Sequence, residues 1–289
     1  MFIATLIARP GALDPALADS LRNAWGGGDI LWLSPDEAAE FGLATLPANQ
    51  WEVWESLQAQ GVDLVIQPDG NRRKKMLLAD MDSTMICQEC IDELAAEAGV
   101  GDHVAGITAR AMNGELDFEA ALAERVGLLK DLPVSVIDTV LATRITLMPG
   151  GATLVATMKT QGAYAALVSG GFTAFTARVA ADLGFDENRA NTLLEGGGKL
   201  TGTVALPILG RDAKVAALQE ITARLGIGVE DVIAVGDGAN DLGMLHLAGT
   251  GVALHAKPSV QAECDIRINQ GDLTALLYLQ GYSRDEFVV

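Results

Sequence analysis

Met76-Leu77-Leu78-Ala79-Asp80-Met81-Asp82-Ser83-Thr84 joins a short apolar run to two aspartates two residues apart. A run rich in Leu and Ala with no polar alternation suits a strand covered on both faces of a parallel sheet. Residues 75–79 are therefore read as such a strand, with Asp80 at its exit. Three further runs share this character: 163–168 before Ser169-Gly170-Gly171, 232–235 before Gly236-Asp237-Gly238, and 250–254 before His255. Helical patterns occupy 152–161, 173–183, 213–225 and 240–248, and Gly162, Gly184 and Gly226 follow three of them as caps. Strands alternating with helices predict an α/β fold with a doubly wound parallel sheet. Ligands of such sheets bind at the carboxyl ends of the strands, so Asp80, Ser169 and Asp237 are expected to converge there.

Two segments break the alternation. Residues 91–147 carry helical pieces without a strand and read as a mostly helical cap inserted after the first core strand, spanning about 90–148. Residues 191–209 read as a hairpin turning at the glycines around 196–198. The first 70 residues stand apart as a small α+β unit, with strands at 2–8, 30–33 and near 64–66 and a helix at 15–25. Pro68-Asp69-Gly70-Asn71 marks its boundary. The rest, 71–289, forms the second domain.

Composition narrows the function classes. The 20 Lys and Arg against 38 Asp and Glu give a net charge of −18, which repels the phosphate backbone that nucleic-acid binders neutralise. No apolar stretch is long enough to span a bilayer, and residues 1–8 lack a basic flank and run into Arg9-Pro10. The expectation is a cytoplasmic protein that binds neither nucleic acid nor membrane, with a homodimer as the default assembly. Three cysteines make no disulfide framework. Cys87 and Cys90, without a second pair or a nearby His, read as two small buried residues about one helical turn apart.

Two aspartates at the exit of a buried strand repel each other, and in low-dielectric surroundings one carboxyl pKa rises unless a cation compensates. A divalent metal with oxygen ligands, Mg²⁺ above all, would do so beside a substrate phosphate. The competing reading is that Asp82 or Ser83 caps the next helix. Ser169-Gly170-Gly171 offers a hydroxyl and backbone N–H groups at a helix start, suited to phosphoryl oxygens. Lys214 begins a helix, where it could equally be a solvated lysine. Gly236-Asp237-Gly238-Ala239-Asn240-Asp241 gathers two carboxylates and an amide in one loop.

Taken in order, these four segments resemble the D-x-D-x-T, S/T, K and G-D-x-x-N-D motifs of the haloacid dehalogenase superfamily. Within it, residues 73–285 are similar to the phosphoserine phosphatase family. Glu89 lies nine residues past Asp80, and Met112-Asn113-Gly114-Glu115-Leu116-Asp117-Phe118 with Arg125-Val126 matches that family's helical cap. The resemblance implies a Mg²⁺-dependent hydrolysis of O-phospho-L-serine through an aspartyl-phosphate, the last step of serine biosynthesis. Asp80 is then the nucleophile. Asp82 is the acid and base, starting protonated because Asp80 lies close. The metal is held by the Asp80 carboxylate, the Asp82 backbone carbonyl and Asp237. Ser169, Gly170, Lys214 and Asn240 hold the phosphoryl oxygens, and Asp241 orients Lys214. Glu89 and Arg125 take the ammonium and carboxylate of a small phosphorylated amino acid, and Met112 and Phe118 close an apolar lid.

Other readings keep or discard the chemistry. Phosphohomoserine or another small phosphomonoester would use the same groups. An inert amino-acid sensor would not need Asp80, Asp82, Lys214 and Asp237 together. The N-terminal unit is similar to small ACT-like regulatory modules, with Trp25, Trp32, Trp51 and Trp54 expected as packing residues.

Overall fold

The computed structural model describes residues 1–112 and 116–288, the side chains of 109, 111 and 112 excepted. In chain order the elements are β1 (Phe2–Ala8), α1 (Pro15–Trp25), β2 (Leu31–Ser34), β3 (Ala38–Leu43), α2 (Gln50–Gln58) and β4 (Val62–Pro68). Then come β5 (Met76–Ala79), α3 (Cys90–Glu97), α4 (Gly101–Met112), α5 (Phe118–Gly127), α6 (Ser135–Thr143) and α7 (Gly151–Thr160). Next are β6 (Tyr164–Phe172), α8 (Thr173–Leu183), β7 (Glu187–Asn191), β8 (Leu193–Gly196), β9 (Lys199–Val204) and α9 (Arg211–Leu225). The chain finishes with β10 (Val232–Gly236), α10 (Leu242–Leu247), β11 (Thr250–Leu254), α11 (Pro258–Ala262), β12 (Ile266–Ile268) and α12 (Ala275–Leu279).

Six strands form one sheet in the order β12-β11-β10-β5-β6-β7, and every neighbouring pair is parallel. The fold class is α/β, as the apolar runs imply. All four residues of β5 and all five of β10 are buried, because helices cover both faces. From β5 the chain moves outward through β6 and β7, then returns to the other side of β5 as β10. The order therefore reverses between β5 and β10, and the crevice at that switch point is where such sheets bind ligands. Asp80 and Asp237 leave the two strands that flank it.

Helix α9 explains how a lysine reaches this crevice. Its buried residues Lys214, Ala217, Leu218, Ile221 and Thr222 recur at three- and four-residue steps, so Lys214 lies on the face turned to the sheet. Gly184 and Gly226 end α8 and α9 in the left-handed conformation, at φ 82° and 66°.

The insertion between β5 and α7 folds as α3–α6. It is fastened to the core by the β8–β9 hairpin: Asp131 N donates to Leu200 O (3.0 Å), Leu200 N to Leu132 O (2.9 Å) and Val134 N to Gly198 O (3.0 Å). The hairpin turns at Gly197 and Gly198, both at positive φ.

Residues 2–68 make an antiparallel sheet in the order β2-β3-β1-β4. Two of its elements, β3 and α2, are absent from the sequence reading. β3 is buried but built of Ala, Glu, Phe, Gly and Leu, so it shows neither alternation nor a branched apolar run. Its Glu40 is buried because Arg72 pairs with it, at 2.5 and 3.2 Å. Two core strands also escape that reading: β7 is polar, and β12 has only three residues.

Asp63 on β4 joins the two sheets. Its carboxylate accepts from the backbone N–H groups of Asn269, Gln270 and Gly271 at 2.8–2.9 Å and from Gln58 Nε2 at 3.0 Å. The tryptophan expectation holds for Trp25, Trp32 and Trp54, which pack against the N-terminal core. Trp51 packs edge-on against Trp54, ring centres 6.1 Å apart, at the surface. It is 38% exposed, with the Arg267 guanidinium 4.1 Å from its ring centre. Among the described residues, no helix is long and apolar enough to cross a membrane.

Candidate active site

Asp80 sits just past β5 and is 4% exposed. One carboxylate oxygen lies 2.6 Å from the Lys214 ammonium, which in turn lies 2.5 Å from Asp241 Oδ1. Lys214 is 2% exposed and Asp241 fully buried, so the solvated-lysine alternative is excluded. Asp241 is itself fixed by the Gly238 N–H, which donates to its other oxygen at 2.9 Å.

The loop glycines follow from these neighbours. A Cβ on Gly236 would occupy the space of the Asp241 carboxyl, and one on Gly238 would strike Asn240 Oδ1. The sequence Gly236-Asp237-Gly238 is what a tight loop needs when two polar side chains fold back over its backbone.

Oxygens of Asp80, Asp237 and Asp241 lie within 4.8 Å of one another. One buried lysine cannot neutralise three carboxylates, and burial magnifies the excess negative charge. Burial first, then repulsion from Asp241, pushes the Asp80 carboxyl well above the usual range, with Lys214 opposing. Burial and Asp241 likewise push Asp237 up to about 6. Burial would lower the Lys214 pKa, but Asp80 and Asp241 together hold it above its ordinary value. Three clustered hard oxygen donors with surplus negative charge suit a divalent cation such as Mg²⁺.

Asp82 is held by two donors. Cys90 N donates to Oδ1 at 2.8 Å and Ser169 Oγ to Oδ2 at 3.0 Å. Cys90 opens α3, so the capping alternative is realised alongside the site rather than in place of it. Cys90 is buried but Cys87 is exposed, which corrects the reading of both as buried.

Ser169 Oγ also accepts from Gly171 N at 2.8 Å. Asn191 pins the end of β6 to the loop before α9: its amide donates to Gly170 O (2.8 Å) and Leu209 O (3.2 Å) and accepts from Leu209 N (2.7 Å).

A cavity of about 370 Å³ lies between this cluster and the cap. Asp80, Asp82, Ser169, Gly170, Asp237 and Asn240 line it from the core, and Glu89, Phe118 and Arg125 line it from the cap side. Lys214 lies beneath, in contact with Asp80. The Phe118 ring reaches across to Gly170, where a Cβ would come within 3.1 Å of it. Glu89 accepts from Ser83 Oγ at 2.7 Å, and Ser83 takes the left-handed conformation, φ 52°. Burial, then the Asp82 charge, pushes the Glu89 carboxyl up to about 7. Arg125 donates through Nε to Ala121 O at 3.2 Å, and burial lowers its pKa. The side chain of Met112 lies outside the described residues, so its expected lid position is not described.

Three polar residues of the cavity wall escape the sequence reading: Asp92, Thr108 and Lys257. Lys257 had a signal. It follows the fourth apolar run, at the strand end where the other runs deliver their chemistry.

The family model of haloacid dehalogenase-like hydrolases matches residues 77–246. A curated relative from Streptomyces coelicolor, named phosphoserine phosphatase, is 40% identical over 98% of this chain and 71% of its own length. Among solved structures, a HAD family hydrolase from Salmonella enterica serovar Typhi superposes with a TM-score of 0.87 at 33% identity, covering 99% of each chain. A structure described as a phospho-aspartyl intermediate analogue of phosphoserine phosphatase has a TM-score of 0.66 at 43% identity. It covers 71% of this chain and 98% of its own.

Proposed function

Because the chain belongs to the haloacid dehalogenase-like hydrolases and is a phosphatase, we propose that it hydrolyses O-phospho-L-serine to L-serine and phosphate through an aspartyl-phosphate on Asp80. The observation that carries this reading is one cavity joining two sets of groups. The Asp80, Lys214 and Asp237 cluster lies at its floor, and the Glu89 and Arg125 pair lies under the cap.

In the first step an Asp80 oxygen attacks phosphorus and the bond from phosphorus to the seryl oxygen breaks. Asp82 gives its proton to the departing oxygen. In the second step water attacks the same phosphorus, Asp82 takes the proton back, and the Asp80 carboxylate leaves. The bonds from Cys90 N and Ser169 Oγ keep Asp82 from rotating away between the two transfers. Ser169, the Gly170 N–H, Lys214 and Asn240 hold the phosphoryl oxygens, and Asp241 keeps the Lys214 ammonium aimed at them.

Asp80, Asp237 and the Asp82 backbone carbonyl would hold Mg²⁺, which would supply positive charge to the nucleophile and the phosphoryl group and let both approach. Arg125 takes the substrate carboxylate and Glu89 the ammonium, and Phe118 with Met112 excludes water. The boundary near residue 70, the cap over about 90–148, and a serine-biosynthetic role in the cytoplasm belong to the same proposal. The name phosphoserine phosphatase carried by the curated relative supports the serine-biosynthetic role.

The test is phosphate release from O-phospho-L-serine, phosphothreonine and phosphohomoserine, with and without Mg²⁺. The expected result is Mg²⁺-dependent turnover with phosphoserine preferred. A hydroxylamine-sensitive phosphoprotein should form on the native chain and not on Asp80→Asn. Normal phosphoprotein on that variant overturns the nucleophile assignment.

A further inference from the structure

Seven charged residues line the catalytic cavity, and five of them are carboxylates: Asp80, Asp82, Glu89, Asp92 and Asp237. Its two cations are Arg125, on the cap, and Lys257, on the core. Such a wall repels a phosphate ester, so the placement of each cation matters more than the charge of the whole chain.

Lys257 is held there by its backbone. Its N–H points to Asp237 O at 3.4 Å, and its carbonyl accepts from Val260 N (2.9 Å) and Gln261 N (3.0 Å) as α11 begins. Just before it, His255 adopts φ 45° and bonds Gly271 O through Nε2 at 2.8 Å. Gly271 N is in turn bound to Asp63, the carboxylate that joins the two sheets. A left-handed non-glycine residue fixed from both sides makes this a built loop rather than a free one.

The Lys257 ammonium nevertheless forms no hydrogen bond or ion pair among the described residues. Asp237 shares the cavity wall with it from the core and Asp92 from the cap. With its backbone N–H at Asp237 O, Lys257 lines the cavity beside Asp237, Gly238 and Asn240, the side assigned above to the phosphoryl group.

We propose that Lys257 is a further substrate-binding residue, contacting the phosphoryl dianion from the rim of the cavity. This rests on the reading of the site as a phosphatase centre and extends it to a residue at the end of β11. A partly exposed cation beside a dianion is screened by water, so its contribution is a factor of about five to ten in affinity rather than the thousandfold of a buried contact.

The experiment compares the native enzyme with Lys257→Met and Lys257→Arg. The readouts are KM and kcat for O-phospho-L-serine, and inhibition by inorganic phosphate with p-nitrophenyl phosphate as reporter substrate. In Lys257→Met the phosphoserine KM and the phosphate Ki rise together by about five- to tenfold. kcat stays within about twofold, and the salt dependence of kcat/KM becomes shallower. Lys257→Arg stays near native.

Unchanged phosphate Ki in Lys257→Met overturns the proposal, including the case where only the phosphoserine KM rises, since Lys257 would then serve the carboxylate. An equal rise in Lys257→Arg also overturns it, because the loop and not the charge would be at fault. Failure of the phosphoserine reading shows separately, as no phosphoserine turnover by the native enzyme. Phosphate inhibition of the reporter reaction then still decides the role of Lys257.

Discussion

Gly171→Ala tests the positioning of Asp82 with the smallest available perturbation, one methyl group. A Cβ built on Gly171 lies 2.6 Å from Asp82 Oδ2 and 3.1 Å from Ser169 Oγ. Ordinary carbon–oxygen contacts need about 3.3 Å or more, so the carboxylate must retreat by about 0.7 Å. Ser169 Oγ, now 3.0 Å from Asp82, and Cys90 N, at 2.8 Å, cannot both follow it. Displacement of this size at a proton-transferring group costs about 10²-fold in rate, and loss of the transfer altogether about 10²–10⁴-fold. The strain costs the fold about 1–3 kcal/mol, which a domain of ordinary stability survives. Steady-state kinetics should therefore show kcat down by about 10²-fold or more with KM nearly unchanged and the melting transition still cooperative. Gly170→Ala is the control. Its Cβ would meet only the Phe118 ring, Cζ at 3.1 Å and Cε2 at 3.5 Å, and an aromatic ring on the cap can shift. That variant should raise KM more than it lowers kcat. A folded Gly171→Ala enzyme with native kcat would refute the claim that the Asp82 position limits turnover.

The raised carboxyls predict how stability depends on pH and metal. Asp237 at about 6 and Glu89 at about 7 bind protons more tightly folded than unfolded, so their contribution is full below about pH 4 and is lost as pH rises through those values, and the raised Asp80 carboxyl acts in the same direction. The metal-free chain should melt lower at pH 8 than at pH 5, and Mg²⁺ should raise the melting temperature at pH 8 more than at pH 5. Calorimetry showing no Mg²⁺ effect at pH 8 would count against the metal site. Arg125→Ala should raise the phosphoserine KM by 10-fold or more while p-nitrophenyl phosphate is hydrolysed as before, since only the first substrate has a carboxylate to lose. Equal loss on both would remove that role. Asp63→Ala leaves three backbone N–H groups of 269–271 without their acceptor and should destabilise by about 3 kcal/mol in urea unfolding. A change under 1 kcal/mol would mean that this carboxylate is not what joins the sheets.

What the sequence made legible follows from where side-chain chemistry is redundant with burial. β5 and β10 are buried on both faces, so their composition alone names them, and the polar residues that end them mark the sheet edge. β3 is equally buried, but its Glu40 is tolerated only through Arg72, a partner 32 residues away that no local window contains. β7 reads as polar because Arg189, Glu187, Glu220 and Arg224 compensate one another across separate elements. Lys257 is hard to read from sequence for a related reason. Its place after the fourth apolar run is its one local signal, and the cavity it lines with Asp92 is completed by the distant cap.

The charges of the site connect these observations to its chemistry. Asp80, Asp237 and Asp241 crowd together, the buried Lys214 pairs with Asp80 and Asp241, and Asp82 and Glu89 stand close by. Such an arrangement is poor as a structural core, because each carboxylate raises the cost of ionising the next. It becomes favourable when a divalent cation and an anionic group enter together, the cation relieving the carboxylates and the anion being drawn to the cation, Lys214 and Lys257. Neither ligand alone balances the site: the anion without the cation meets the carboxylates, and the cation without the anion leaves the rim lysine unpaired. Binding of Mg²⁺ and of phosphate should therefore be cooperative, each tightening the other by the same factor. Paired titrations of the two ligands by calorimetry measure that factor, and a value of one would refute the charge-balance argument.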